Sequence, residues 1–233
     1  MENRLTDKAV LRVGAGNHPI LVMDGFCDAI GHVVEIAAGL GPFPAAQGSA
    51  YPGLRRFITP SDTEAAAYAR RMLRAAVPFI NAAFGVKGFD LLEASFSLVT
   101  TAPDRLLPMQ RAPHFDSVDP DYLAVLHYIG GVGGSGTAFY RQRSTGIERV
   151  TDDNNARFVE TAKRETGVDA AGYIRSSNAW FDQIGMVDAQ PDRLIVYQGS
   201  LLHSGVIPPD MPFSGDPRSG RLTANFFVRG RRA

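Results

Sequence analysis

The stretch Arg111-Ala112-Pro113-His114-Phe115-Asp116 places an imidazole and a carboxylate two positions apart. In a β-strand, successive side chains point to opposite faces, so residues i and i+2 project side by side. His114 and Asp116 can therefore reach one metal ion together, with Phe115 on the other face. The stretch predicts an extended segment that supplies two ligands and needs a third from elsewhere in the chain.

The pair becomes a specific signal only when a distant histidine joins it. A non-haem Fe(II) site of the two-histidine, one-carboxylate kind needs this pair plus one more histidine, and it leaves three coordination positions open. The chain has five histidines, and a His-x-Asp pair also arises by chance. The alternative interpretation is a strand-end aspartate beside a half-buried histidine, and the rest of the sequence decides between the two.

The composition predicts a globular protein without the excess of basic residues that is typical of nucleic-acid binding. Of 233 residues, 45% are hydrophobic and 21% are charged, and the 24 basic residues balance the 24 acidic ones. Such a chain can bury a sizeable core. A net charge of zero argues against binding to nucleic acid or to an anionic membrane.

Cysteine usage and the apolar runs predict a cytoplasmic location. Cys27 is the single cysteine, so no intramolecular disulfide forms, as expected in a reducing compartment. The first eight residues lack the apolar core of a secretory signal, and no apolar run is long enough to span a bilayer.

The first 88 residues predict a hairpin followed by two helices. Short aliphatic runs at 8–13 and 19–23 flank a glycine-rich turn and indicate paired strands. Helical apolar spacing predicts helices at about 26–39 and 62–84, separated by a loop rich in proline and glycine at 41–60. Ser61 and Glu64 have the spacing of a capping box, and Pro78 is expected to kink or split the second helix.

After Gly88 the periodicity becomes that of strands. Short apolar segments alternate with turn residues, and one helix is predicted at about 154–164. The predicted strands are 91–101, 122–129, 137–142, 148–151, 180–187, 193–198, 201–207 and 221–229. This spacing indicates a sandwich or barrel. We predict a single domain, 1–233, in which residues 1–88 pack on a β core at about 89–229 with a polar insert near 152–178.

Two histidines in the β half are candidates for the third metal ligand. His127 lies in a strand that is apolar on both faces, so a core position is the simpler interpretation. His203 follows Gly199-Ser200, which reads as a tight hairpin turn, and stands near the end of the predicted hairpin. His18 and His32 show no pattern that indicates a ligand.

A polar strand face near the C-terminus predicts an anion site. Arg221, Thr223 and Asn225 alternate with apolar residues and share one face. A guanidinium donates two parallel charge-assisted hydrogen bonds to a carboxylate, and the threonine hydroxyl adds a third. The alternative is the polar outer face of an edge strand.

Taken in order, these motifs resemble those of Fe(II)/2-oxoglutarate-dependent dioxygenases, closest to the prolyl 4-hydroxylase-like branch and its uncharacterised bacterial members. The motifs are His114-Phe-Asp116, Leu126-His-Tyr-Ile129, Gly133-Gly-Ser-Gly-Thr-Ala-Phe139, Arg193-Leu-Ile-Val-Tyr197, His203 and Gly220-Arg221. The resemblance covers roughly residues 90 to 229. It implies a double-stranded β-helix (jelly roll), mainly β with flanking α, supported by the N-terminal helices.

The resemblance also implies a function and a set of site residues. Fe(II) is expected on His114, Asp116 and His203, with 2-oxoglutarate and O2 as cosubstrates and hydroxylation of a small-molecule or peptidyl substrate as the reaction. The distal carboxylate of 2-oxoglutarate is expected on Arg221 with Thr223. Thr137 and Tyr128 are expected to provide second-tier contacts, and no further catalytic side chain is expected.

Two departures from the family pattern leave the anchor open between Arg221 and Arg218. The glycine motif has an extra residue, and Arg221 follows His203 by 18 positions, more than is usual in the family. The intervening segment, 208–217, is rich in proline and indicates a lengthened loop.

Two other classes of protein remain as alternatives. One is a catalytically silent β-sandwich that binds a metal or ligand as a sensing module. The other is a cupin-type metalloenzyme, which usually offers a His-x-His pair that this chain lacks. Loops 41–60, 104–113 and 152–178 are candidate lids over the substrate cleft. Their candidate cleft residues, with the neighbouring Trp180, are Tyr51, Arg55, Tyr173 and Arg175.

Overall fold

Ten β-strands and three α-helices form in the residues that the computed structural model describes, which are 8–27, 29–46, 51–130, 133–165 and 172–232. The strands are β1 (Lys8–Val13), β2 (His18–Met23), β3 (Gly53–Phe57), β4 (Phe89–Val99), β5 (Tyr122–Tyr128), β6 (Gly136–Gln142), β7 (Phe181–Asp188), β8 (Arg193–Gln198), β9 (His203–Val206) and β10 (Leu222–Gly230). The helices are α1 (Ile30–Gly39), α2 (Thr63–Phe84) and α3 (Asp152–Glu165).

The strands form two antiparallel sheets. The larger sheet has the order β1-β2-β8-β5-β10-β4-β3, and the smaller has the order β7-β6-β9. A backbone bridge between His114 and His203 places the stretch 111–116 beside β9, at the edge of the smaller sheet. Two facing antiparallel sheets with crossing connections make up a jelly roll, so the predicted fold class is confirmed.

Strand β10 shows how alternation in the sequence builds the layers. Ala224 and Phe226 point to the outer face of the large sheet and are fully buried, in a cluster that also contains residues of α1 and α2. Thr223 and Asn225 point the other way, toward the small sheet. Because α1 and α2 cover the outer face, the inner face is left to form a cavity between the sheets. The predicted packing of the two N-terminal helices on the sheet is confirmed.

Helix α2 departs from the prediction at its start and at Pro78. The predicted capping box is wrong: Asp62 is the N-cap, and its side chain makes no capping hydrogen bond. Instead its carboxylate accepts hydrogen bonds from the backbone N–H and the hydroxyl of Thr59 and pairs with Arg56. Pro78 does not split the helix, because buried Ala76 and Ile80 on either side hold both halves against the sheet. That packing offsets the cost of a proline in a helix interior, about 3 kcal/mol.

Three predicted segments in the β half or the loops have a different structure. The Gly199-Ser200 turn does not close a hairpin: β8 pairs with β2 and β5, whereas β9 pairs with β6 in the other sheet. The predicted strand at 148–151 is reduced to one bridge between Arg149 and Leu201. Conversely, the predicted loop 41–60 contains β3, which pairs with β4. Which strands pair depends on long-range packing, so the residues of a single turn do not predict the pairing.

Of the helices in the described parts of the chain, none combines the length and apolarity needed to cross a membrane. The single-domain organisation stays a prediction.

Candidate metal centre

The described residues contain one group of side chains that is able to hold a metal ion, and it consists of His114, Asp116 and His203. One ligand atom from each lies within 4.8 Å of the other two. The Nε2 atom of His203 is 3.6 Å from Oδ2 of Asp116, and Nε2 of His114 is 3.9 Å from Oδ1. The fold therefore brings together the three residues predicted as ligands from segments 89 positions apart.

Backbone hydrogen bonds fix the relative positions of these three residues. The N–H of His114 donates to the carbonyl of His203 at 2.9 Å, and the N–H of His203 donates back at 2.8 Å. The N–H of Asp116 donates to the carbonyl of Gly199 at 2.7 Å. Each candidate ligand is thus held by main chain that belongs to another segment, which pre-organises the site.

The ring of His203 is oriented by its second nitrogen. Its Nδ1 lies 2.8 Å from the carbonyl oxygen of Leu201, which can only accept, so Nδ1 carries the proton. Nε2 then has a free lone pair and faces Asp116. Histidines that bind metals are commonly oriented in this way by a backbone carbonyl on the other nitrogen.

The electrostatics of the group fit a cation. Burial lowers the pKa of His203 to about 4, and burial together with the neighbouring His203 lowers the pKa of His114 to about 4. Both imidazoles are therefore neutral at pH 7, the form that binds metals. Burial raises the pKa of Asp116, and its Oδ2 is buried with no hydrogen-bond partner among the described residues. A buried acceptor without a partner is costly, and a metal ion would satisfy it.

Gly199, directly after β8, leaves room for Asp116 beside the ring of Tyr122. A Cβ at this position would lie 2.6 Å from the ring of Tyr122 and 3.2 Å from Cβ of Asp116. Gly199→Ala is therefore expected to displace Asp116 and to weaken Mn(II) binding about 10-fold or more, the scale seen when partners of ligands are changed. Calorimetric titration measures this effect.

Gly31→Ala is the matched control, because a Cβ at this position in α1 meets no atom of the described residues within 4 Å. Unchanged Mn(II) affinity in Gly199→Ala would contradict the proposed role of Gly199 in positioning Asp116.

The metal group opens into a cavity of about 360 Å³ between the two sheets. A cavity of this size is typical of small-molecule sites. Its walls combine polar and aromatic side chains, and the end that holds Arg221, Thr223 and Thr137 is called the polar end. Apart from the metal group, the residues that line the cavity include Arg221, Thr223, Thr137, Asn225, Arg55, Glu93, Tyr51, Tyr122, Phe115 and Phe227.

At the polar end, Arg221 is buried and has no acidic partner within the described ranges of the chain. Its side chain belongs to a residue only 4% exposed, and it donates two long hydrogen bonds, to Ser135 Oγ at 3.3 Å and to the Gly136 carbonyl at 3.4 Å. The guanidinium lies 5.5 Å from the centre of the Tyr128 ring. Among the described residues, no carboxylate forms an ion pair with it. A buried cation in this state favours an anionic ligand.

The other residues predicted near Arg221 surround it. Thr223 and Thr137 line the cavity, and Tyr128 lies behind Thr137, with its hydroxyl 2.7 Å from Oγ1 of that residue. Tyr128 is fully buried and supports the guanidinium from behind the cavity wall.

The alternative anchor, Arg218, points away from the cavity. Its exposed side chain pairs with Glu35 of α1 at 2.5 Å. Arg221, directly before β10, lines the cavity, whereas Arg218 lies on the surface. The role of Arg221 as the anchor stays a prediction.

His127 lies on the opposite face of the large sheet, away from the metal group. It is fully buried, with Nδ1 2.7 Å from the hydroxyl of Tyr68 in α2 and Nε2 3.0 Å from Oδ1 of Asp192. Its position in the core agrees with the sequence interpretation.

His127→Ala is expected to lower the free energy of unfolding by about 2–4 kcal/mol, because it opens a gap and removes the partner of a buried hydroxyl. Mn(II) affinity is expected to stay unchanged, since the residue lies beyond the sheet from the metal group. Urea unfolding and calorimetry test the two statements separately, and a loss of metal binding in the folded variant would contradict the second.

Several cavity residues were not identified from the sequence. Glu93, Tyr122 and Phe227 line the site. Strand alternation could have placed Phe227 on the face of Thr223 and Asn225, but nothing in the sequence marked which strands meet. The partner of His18 was also missed: it is Glu148, 3.0 Å away.

Of the candidate cleft residues, three line the cavity and two do not. Tyr51, Arg55 and Tyr173 face it. Arg175 is exposed, and Trp180 packs against the apolar cluster beneath α3.

Comparisons with known proteins agree with this fold. The sequence profile of DUF6445, a family of unknown function, matches residues 6–228. Comparison with curated proteins finds no significant match. Among solved structures, the non-heme alpha ketoglutarate dependent epimerase SnoN from nogalamycin biosynthesis is 13% identical, with a TM-score of 0.54 over 92% of this chain and 81% of SnoN. HygX from Streptomyces hygroscopicus, solved with nickel and 2-oxoglutarate bound, is 15% identical, with a TM-score of 0.51 over 91% of this chain and 82% of HygX.

A Pseudomonas putida prolyl-4-hydroxylase is also matched, with 15% identity and a TM-score of 0.45 over 94% of this chain and 95% of that one. At such identities the similarity to SnoN and HygX is one of fold, and at that level it confirms the predicted resemblance.

Proposed function

Because this chain belongs to DUF6445, a family of unknown function, and has the jelly-roll fold of SnoN and HygX, we propose that it is a non-haem Fe(II)/2-oxoglutarate-dependent oxygenase. The proposed reaction is hydroxylation of an unactivated C–H bond in a small-molecule or peptidyl substrate. HygX has been solved with iron, and also with nickel and 2-oxoglutarate, which supports the choice of metal and cosubstrate.

The observation that carries the proposal is the presence of two complementary sites in one cavity. One site consists of two neutral imidazoles and a carboxylate, from His114, His203 and Asp116, and one oxygen of this carboxylate has no hydrogen-bond partner in the described part of the chain. The other site is Arg221, a buried cation that has no acidic partner among the same described residues. A dicarboxylate that chelates a metal at one end and carries a free carboxylate at the other would satisfy both.

The donor set fits Fe(II), since two histidines and one carboxylate leave three positions for other ligands. When bound, Fe(II) with 2-oxoglutarate and O2 would supply the oxidising power for hydroxylation, with release of succinate and CO2.

The residues of the chain then bind, orient and exclude water. Arg221 would bind the distal carboxylate of 2-oxoglutarate through parallel charge-assisted hydrogen bonds, and Thr223 would add a hydroxyl. Thr137 and Tyr128 would hold this end of the cavity in shape. Gly199 and Leu201 would keep the metal ligands in position through their carbonyls.

The test uses the purified full chain in two stages. Mn(II) and then 2-oxoglutarate are titrated by calorimetry, and tight 2-oxoglutarate binding is expected only after the metal is bound. Fe(II)-loaded protein is then given 2-oxoglutarate and O2, and slow succinate formation is expected without added substrate. Absence of both metal-dependent 2-oxoglutarate binding and succinate formation would favour a catalytically silent module.

A further inference from the structure

A second arginine lines the same cavity as Arg221 and lies two strands away from Thr223 in the large sheet. Arg55 belongs to the edge strand β3, and its side chain is 18% exposed. The guanidinium lies 5.2 Å from the centre of the Tyr51 ring and 5.8 Å from that of Phe227, and its Nε donates to Ser97 Oγ at 3.3 Å. Aromatic rings near a guanidinium hold its plane and leave its donor edge available.

Glu93 of the neighbouring strand β4 lies beside Arg55. Its Oε1 is 3.5 Å from the terminal nitrogen NH1 of Arg55. This oxygen is buried and has no hydrogen-bond partner among the described residues. The two charges are thus adjacent, but the hydrogen bond between them is not made.

The open geometry of this pair contrasts with that of other partly buried ion pairs. Among the described residues, the other arginine–carboxylate pairs separated by 3.4 Å or more are all exposed. Arg56, the next residue of β3, points to the other side of the sheet and reaches Asp62 at 2.8 Å. Arg141 reaches Asp182 at 2.7 Å. A pair of structural residues is expected to close to such distances, so the wider separation of Arg55 and Glu93 leaves both groups with binding capacity inside the cavity.

We propose that Arg55 and Glu93 bind the carboxylate and the ammonium group of a free α-amino acid, which makes that class the substrate of the proposed oxygenase. This inference rests on the proposed function, because it assigns the Arg221 end of the cavity to 2-oxoglutarate.

The shape of an α-amino acid matches the pair. Its ammonium nitrogen and carboxylate carbon are both bonded to one carbon at about 1.5 Å, so its two charges lie within about 3 Å of each other. Two protein charges of opposite sign, 3.5 Å apart, complement such a zwitterion. Phe115 and Tyr122 line the same cavity and offer apolar walls for the substrate side chain.

Charge balance within the cavity agrees with a zwitterion. Arg221 and the metal site would be neutralised by the doubly charged cosubstrate together with Asp116. Arg55 and Glu93 then remain as one positive and one negative charge, and a substrate of zero net charge that presents both signs leaves neither of them unpaired.

The experiment titrates a panel of probes into the full chain loaded with Mn(II) and 2-oxoglutarate. The panel contains the twenty standard L-amino acids, the amide of each, and the amine that each leaves on decarboxylation. At least one free amino acid is expected to bind in calorimetry and, with Fe(II) and O2, to raise succinate formation. Its amide and amine are expected to bind at least about 10-fold more weakly, because each lacks the carboxylate that meets Arg55.

Variants assign the effect to the two side chains. Arg55→Met is expected to weaken binding of that amino acid at least about 30-fold, and Glu93→Gln at least about 10-fold, as is usual when one partner of a buried charge contact is lost. Arg56→Met is the matched control on the opposite face of β3 and is expected to bind as the wild type does. Thermal melting verifies that each variant is folded.

Three results would overturn the proposal: no amino acid binds, the amides bind as tightly as the acids, or folded Arg55→Met retains wild-type affinity. An increase in the 2-oxoglutarate dissociation constant of Arg55→Met as large as that of Arg221→Ala would also overturn it, because Arg55 would then belong to the cosubstrate site. Failure of the proposed oxygenase function is distinct, since the wild type would fail to bind 2-oxoglutarate before any probe is added.

Discussion

His203→Ala is expected to lower succinate formation more than about 100-fold, since even residues that only orient a metal ligand are typically worth 10–100-fold. The substitution removes one of three candidate ligands. The segment that carries the other two, His114 and Asp116, is held by backbone hydrogen bonds to His203 and Gly199. Metal content measured after dialysis against Fe(II) or Mn(II) should fall in parallel with turnover.

The structure predicts that the His203→Ala variant still folds. The side chain packs against the ring of Tyr197, with centroids 4.8 Å apart, so its loss is expected to cost a few kcal/mol at most. The backbone bonds to His114 do not depend on the side chain. His32→Ala, an exposed substitution in α1, is the control. A folded His203→Ala variant that keeps its metal and its turnover would show that the ligand assignment is wrong.

Arg221→Ala is expected to raise the KM for 2-oxoglutarate about 30-fold or more while Mn(II) affinity stays close to that of the wild type. The guanidinium is the buried cation at the polar end of the cavity, and truncation of one partner in a buried charge contact commonly has an effect of this size. The candidate metal ligands come from other segments, the stretch 114–116 and β9, which is why metal binding and cosubstrate binding should separate.

Ligand-induced stabilisation gives a readout of the same substitution without turnover. In the presence of Mn(II), saturating 2-oxoglutarate should raise the Tm of the wild type, because a ligand that binds only the folded state stabilises it, and should raise that of Arg221→Ala much less. Arg218→Ala is the control, since its side chain pairs with Glu35 on the surface. Equal stabilisation of wild type and Arg221→Ala by 2-oxoglutarate would remove Arg221 from the cosubstrate site.

Local periodicity in the sequence was sufficient for most of the fold. Alternation placed Thr223 and Asn225 on the inner face of a strand, and helical spacing predicted α2 and its buried stripe. These features depend on side-chain direction along one element, which the backbone geometry of strands and helices sets residue by residue. The same reasoning identified His114 and Asp116 as a pair of side chains that can bind one metal ion together.

Tertiary structure decided which elements meet. His127 and His203 both lie in apolar strands, yet one faces α2 and the other faces Asp116, and the predicted hairpin that favoured His203 does not form. The Gly199-Ser200 turn connects the two sheets, since β8 lies between β2 and β5 in the large sheet and β9 pairs with β6 in the small one. Arg55 and Glu93 lie together only because β3, in a segment predicted as a loop, adds to the edge of the large sheet beside β4.

Strand pairing and sheet stacking depend on burial summed over the whole core. A local pattern therefore determines the face on which a side chain lies, but not the side chain that it contacts across the cavity.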